Sequence, residues 1–130
     1  MLSWLSKLFG RPYEVQSRRR SSSPVHVVQD DKLITLDDGV GEVASMLWSN
    51  LGNVTVMTTN LGPFEVDLFW VLTDKDGWQT LMIPMDAQGE RELLEAMQAR
   101  LPGFDNMAVV EAMSSTHQGV FQVWPAVEVA

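Results

Sequence analysis

The chain has 130 residues, 45% of them hydrophobic, with no cysteine and a formal net charge of −8. That length suits one domain able to bury a packed core without staples. The missing thiols rule out a disulfide framework, a cysteine nucleophile and any metal site built on sulfur, and they fit a reducing compartment.

The charge is divided unevenly. Residues 1–24 hold five basic residues (Lys7, Arg11, Arg18, Arg19, Arg20) against Glu14, a local +4, whereas residues 25–130 hold four basic residues against sixteen acids, or −12. So acidic a body repels phosphate backbones, and its few cations are scattered, so no nucleic-acid partner is expected. No apolar run reaches the roughly 18 residues of a membrane-spanning helix. The chain therefore reads as a soluble or peripheral protein of the cytoplasm.

In the first ten residues Met1, Leu2, Leu5, Leu8 and Phe9 recur at helical spacing with Trp4 beside them. Gly10 and Pro12 would stop such a helix, and Arg18 to Pro24 is polar, basic and linker-like. Two roles fit this leader. It can touch a membrane weakly, with Trp4, Leu5, Leu8 and Phe9 in the interface and Arg18, Arg19 and Arg20 on anionic lipid, peripherally at an inner membrane. Alternatively it frays, or covers an apolar patch on the same or another molecule, including a homo-oligomeric partner. Lys7 interrupts the apolar stretch and no small-residue cleavage site follows, which argues against a secretory signal; composition leaves a transit peptide open.

From Val25 the pattern is that of strands in one domain, residues 25–130. Val25–Val28 and Leu33–Leu36 form a hairpin about Asp30-Asp31, closed by Asp37-Asp38-Gly39. Val43–Trp48 is a strand or a short helical turn. Val54–Thr58 alternates as a half-buried strand, and the chain turns at Asn60–Pro63. Val66–Thr73, with the run Leu68-Phe69-Trp70-Val71-Leu72, is expected at the centre of the sheet. Asp74 to Gly77 is a hairpin turn, after which Trp78–Ile83 returns antiparallel.

The period then changes. Leu93, Leu94, Met97 and Leu101 recur at helical intervals, predicting a helix from about Gly89 to Leu101. Asp105 is placed as the N-cap of a second helix with an expected apolar face of Val109, Val110 and Met113, and Val120–Trp124 is a final strand. The expected fold is α+β: an antiparallel sheet, a meander of about five strands plus the C-terminal one, with two short helices on one face.

Catalytic and metal motifs are sparse. Aligning Gly77 with the glycine of a calcium loop puts Leu72 and Ile83 at ligand positions, which excludes an EF-hand. Asp30-Asp31 and Asp37-Asp38 flank one hairpin and could meet, but aspartates at turns ordinarily cap them. Ser114, Ser115 and His117 are the one neighbourhood offering a hydroxyl beside a base, for which the bland reading is capping and solvation. There is no nucleophile elbow, P-loop or dinucleotide fingerprint, and no cofactor is implied. Tryptophan and methionine are abundant, with seven of eight methionines after residue 24, and both recur at adaptable protein-binding surfaces.

Asp67-Leu68-Phe69-Trp70-Val71-Leu72, Ile83-Pro84, Leu101-Pro102-Gly103-Phe104-Asp105-Asn106, Ala112-Met113 and Phe121-x-Val123-Trp124 together carry a resemblance. The stretch from Trp48 to Trp124 is similar to a family of small bacterial proteins classed as a domain of unknown function. The LPGFD segment is its most specific part and the leader lies outside it. The resemblance implies a compact bacterial domain and assigns no activity, cofactor or catalytic residue. The functional expectation is a non-catalytic protein-interaction domain. The alternatives are an immunity or inhibitor protein whose acidic surface meets a basic partner, or a small hydrolase using His117 with Ser114 or Ser115.

Overall fold

A computed structural model describes residues 24–59 and 67–126. The leader, including Trp4, Leu5, Leu8, Phe9, Arg18, Arg19 and Arg20, lies outside the described residues, as do the turn at Asn60–Pro63 and Val66. The elements are strands β1 (His26–Gln29), β2 (Leu33–Asp37), β3 (Val43–Leu47), β4 (Leu51–Thr59), β5 (Asp67–Asp74) and β6 (Thr80–Pro84). Helices α1 (Glu90–Arg100) and α2 (Asn106–Ser114) and strand β7 (Gly119–Trp124) follow. The fold is α+β, with seven antiparallel strands and two helices packed against strands among the described residues.

The strands divide into two sheets, β1-β2-β3 and β6-β5-β4-β7. The break falls where β3 ends in a 3-10 turn at Trp48–Asn50. Of the two readings of Val43–Trp48 the strand holds for Val43–Leu47, and the helical turn begins only at Trp48. Trp48 anchors it: its indole N–H donates to the Asp30 carbonyl at 2.8 Å, and the Arg100 guanidinium lies 5.0 Å from its ring centroid. Such a stacked cation holds the end of α1 to the small sheet.

In the larger sheet β5 is an inner strand, paired to β4 with Val56 opposite Trp70 and to β6 with Trp70 opposite Ile83. Its continuous apolar run makes sense there, because both of its faces need apolar side chains. The β5–β6 turn is held by Asp74, whose carboxylate accepts the N–H groups of Trp78 (2.8 Å) and Gln79 (3.2 Å), while Gly77 supplies a φ of 75°. Trp78 belongs to the turn and not to the strand, and it is 87% exposed. Strand pairing begins only at Thr80, because the Trp78 and Gln79 amides are taken up by Asp74.

Leu93 and Met97 of α1 and Ala108, Val109 and Ala112 of α2 enter one core with Val54, Val56, Trp70, Leu72, Leu81, Ile83 and Val123 of the large sheet and Val27, Ile34, Leu36 and Met46 of the small one. Helix α1 packs against β1, and α2 against β7 and β4. The chain enters α1 through Gly89 (φ 90°), where any side chain would run into the Val27 carbonyl. Flanking bonds from Val27 N–H to Gln88 O (2.8 Å) and from Gln88 N–H to Val25 O (2.9 Å) force that approach.

Asp105 caps α2, accepting from the Ala108 N–H at 3.1 Å. The inward face of α2 differs from the expected one. Val109 is buried, but Ala108 and Ala112 fill the other buried places, while Val110 and Met113 are more than half exposed. Small side chains let the helix backbone lie close on β7 and β4, a preference for closeness that hydrophobicity alone does not reveal. The LPGFD segment is the corner between the helices. Asp105 N–H donates to Val123 O at 3.0 Å, the Trp124 indole donates to Pro102 O at 2.9 Å, and Phe104 sits 6.2 Å from Trp70, ring to ring.

Candidate docking groove between the two helices

Helical spacing sets Glu90, Leu94 and Gln98 along one flank of α1, with Arg91 and Glu95 beside them, and Val109 and Met113 along the facing flank of α2. Between these walls runs a groove of about 390 Å³, with Trp70 at its floor and Met85 at one end. At the other end the Gln98 amide donates to Asn106 Oδ1 at 2.9 Å, tying the two helices together. Met113 of this lining also belongs to an exposed apolar stripe on α2, formed with Met107 and Val110. Arg91, Glu92, Glu95 and Glu111 are exposed on the two helices.

The groove has one polar anchor in its floor. The Trp70 indole, fully buried, donates to Glu90 Oε2 at 2.7 Å. Burial of the half-buried Glu90 carboxyl raises its pKa above the ordinary value of 4.5; the indole bond, and then the nearby Arg91, oppose that shift without cancelling it. A carboxylate so placed has lone pairs left to accept from a cation or amide entering the groove.

Asp30, Asp37 and Asp38 are taken up by turns. Asp30 Oδ1 accepts from Leu33 N–H and Lys32 N–H, both at 2.8 Å, and those two bonds, Leu33 first, lower its pKa. Asp37 accepts from Gly39 N–H at 2.8 Å, and Asp38 from Val40 (2.8 Å) and Glu42 (3.0 Å). Asp30-Asp31 and Asp37-Asp38 lie at opposite ends of β2, so the two pairs do not meet: pairing of His26 with Asp37 and of Gln29 with Ile34 separates them by the length of the hairpin. Among the described residues no three His, Asp or Glu side chains gather as metal ligands would.

His117 is exposed in the loop before β7, with Thr116 Oγ1 3.3 Å from its Nδ1. The two serines are engaged elsewhere. Ser114 Oγ donates to Val110 O at 2.9 Å, within its own helix, and Ser115 Oγ donates to His117 O at 3.0 Å while accepting from His117 N–H at 3.1 Å. Neither hydroxyl is bonded to the imidazole, so the loop has the geometry of a hydroxyl-capped turn. Thr58 Oγ1 pins it to β4 through His117 O at 2.6 Å.

Sequence reasoning missed the groove because its apolar lining, Trp70, Leu94, Val109 and Met113, comes from residues assigned to the core, and its polar rim from the solvent face of α1. Trp70 belongs to a strand, and Val110 and Met113 were expected to face inward. The usable signal was the paired alanines Ala108 and Ala112, whose spacing marks the side of α2 that lies closest to the sheet. Compared with family models, with curated proteins and with solved structures, the chain has no match. Among the described residues no helix is long and apolar enough to cross a membrane.

Proposed function

We propose that the protein is a non-catalytic interaction domain that docks a segment of another protein in the groove between α1 and α2. The observation that carries this reading is the exposed stripe Met107, Val110 and Met113 beside a Trp-floored groove. Three large apolar side chains in water on one short helix bring the fold no stability, and methionine adapts well to a partner's shape. The expected occupant is an amphipathic segment carrying Lys or Arg next to its apolar residues. Glu90 and Glu95 line the groove, and the body of the domain carries sixteen acids against four basic residues. Charge of that sign speeds the encounter with a basic partner and disfavours acidic ones. The absence of cysteine accords with work in a reducing cytoplasm.

The test is capture from the native cell extract with the full chain as bait, in parallel with Val110→Asp and Met113→Lys, and with Val40→Asp as an exposed control away from the helices. A stoichiometric partner kept by the wild type and the control but lost by both helix variants supports the reading. A partner that binds all four baits equally, or recovery of bait alone, refutes it.

A further inference from the structure

Among the described residues four strands stand at sheet edges, β1 and β3 in the small sheet and β6 and β7 in the large one. An edge strand presents a row of amides and carbonyls that can template pairing with another chain, so folds blunt their edges with prolines, charges, bulges or a covering segment. Three of these edges carry such protection. The Gln88 segment bonds along β1 through Val27 N–H and Val25 O, β6 ends at Pro84, and β7 gives its Val123 carbonyl to the Asp105 N–H.

Strand β3 has none of these devices in its own sequence. Val43-Ala44-Ser45-Met46-Leu47 contains no proline and no charge, and its register with β2 runs without a bulge. Bonds from Asp38 N–H to Glu42 O (3.0 Å) and from Trp48 N–H to Lys32 O (2.9 Å) bracket the β2–β3 ladder. By the antiparallel alternation Ala44 and Met46 then bond to β2, and the backbone groups of Val43, Ser45 and Leu47 point away from it. The edge is also self-complementary: in an antiparallel pair centred on Ser45, Val43 of one copy lies opposite Leu47 of the other, and both side chains are exposed. One outward group is occupied. The Gln79 side-chain amide, reaching across from the β5–β6 turn, donates to the Ser45 carbonyl at 2.8 Å, at the middle of the edge. That is the bond the backbone amide of a pairing strand would make.

We propose that Gln79 caps the β3 edge and so keeps it from pairing with the β3 edge of a second copy. A second strand approaching to about 4.8 Å meets the Gln79 side chain before its amides can align with Ser45. The turn that carries the cap is fixed by other bonds, from Gln79 N–H to the Asp74 carboxylate (3.2 Å) and from Lys75 N–H to Asn50 O (2.8 Å), so the side chain is held in place at the edge. Net charge does not replace it. The −12 on residues 25–130 repels a second copy from every side alike, and at physiological salt that repulsion is screened beyond about 8 Å. What distinguishes this edge is local: an uncharged strand, three outward residues, and one side-chain amide at their centre.

The test uses the full chain with two substitutions: Gln79→Leu, of like size but without a donor, and Gln79→Asn, whose shorter amide falls short of Ser45 and adds no apolar surface. Sedimentation velocity over a concentration series, in about 0.5 M salt to screen the like charge, reads self-association. Amide hydrogen exchange followed by NMR reads where it occurs. Both variants are expected to associate at least about tenfold more tightly than wild type, with the outward amides of Val43, Ser45 and Leu47 becoming protected as concentration rises. Adding Val43→Lys, which sets a charge on the edge, should return them to wild-type behaviour. Variants that associate no more than wild type overturn the proposal, as does association by Gln79→Leu alone, which would come from the added apolar side chain. Association that survives Val43→Lys, or protection of the same amides in the wild type, overturns it too. Both helices are unchanged in these variants, so the result is independent of the groove reading, which stands on the Val110 and Met113 variants.

Discussion

Replacing Trp70 by phenylalanine tests whether the groove floor is held by the indole–carboxylate bond. The ring is fully buried, and its N–H donates to Glu90 at 2.7 Å. Trimming it to phenylalanine leaves a small cavity, worth roughly 1–2 kcal/mol by the scale of large-to-small core changes. It also deletes a bond to a charged acceptor, for which about 1.5 kcal/mol is appropriate, the low end of the range, because Glu90 is only half-buried. The sum is about 3 kcal/mol, or roughly a 10 °C fall in Tm for a domain of this length. Only the second part depends on Glu90. Measured by urea unfolding followed by circular dichroism, Trp70→Phe, Glu90→Leu and the double variant should show a coupling of about 1.5 kcal/mol, the double variant losing less than the two single losses together. Coupling below about 0.5 kcal/mol would refute the reasoning and leave Trp70 as packing alone.

The same carboxyl gives a pH signature. Burial raises its folded pKa above 4.5, so its stabilising contribution is full below that value and is lost as pH rises through the folded pKa. Glu90→Gln should therefore be at its most favourable relative to wild type near neutrality, with the gap closing toward pH 4 in urea melts; a gap that widens on acidification contradicts this. Asp105→Ala should cost about 1 kcal/mol by removing the α2 cap, seen as a lower denaturation midpoint at unchanged slope. Gly89→Ala should be far worse than Gly77→Ala, by thermal melt, because both sites have positive φ but only Gly89 abuts the Val27 carbonyl, and equal losses would mean that strain alone matters. Val110→Asp and Met113→Lys should leave stability within about 0.5 kcal/mol of wild type, since both side chains face water; larger losses would show that they belong to the fold.

Local rules read from the chain were sufficient wherever a residue acts on its neighbours. Asp105 begins a helix because its carboxylate reaches an amide three residues on, and Gly77 closes a turn because its φ is positive. The run Leu68–Leu72 belongs to an inner strand because both of its faces must be dry, and the change from a period of two to one of 3.6 after Pro84 marks where strands give way to helices. Hence the α+β class, the two described helices and all the described strands but β3, which read equally as a helical turn, were legible. What the tertiary structure decided is how those elements face one another. The split into two sheets depends on the Trp48 turn, held by a carbonyl from β2's entry and a guanidinium from α1, which no local window contains. The orientation of α2 depends on closeness to β7 and β4, so two alanines turn inward and Val110 and Met113 turn to water. The groove follows from that choice, because a docking surface is made of side chains the core has no room for, and only packing determines which those are.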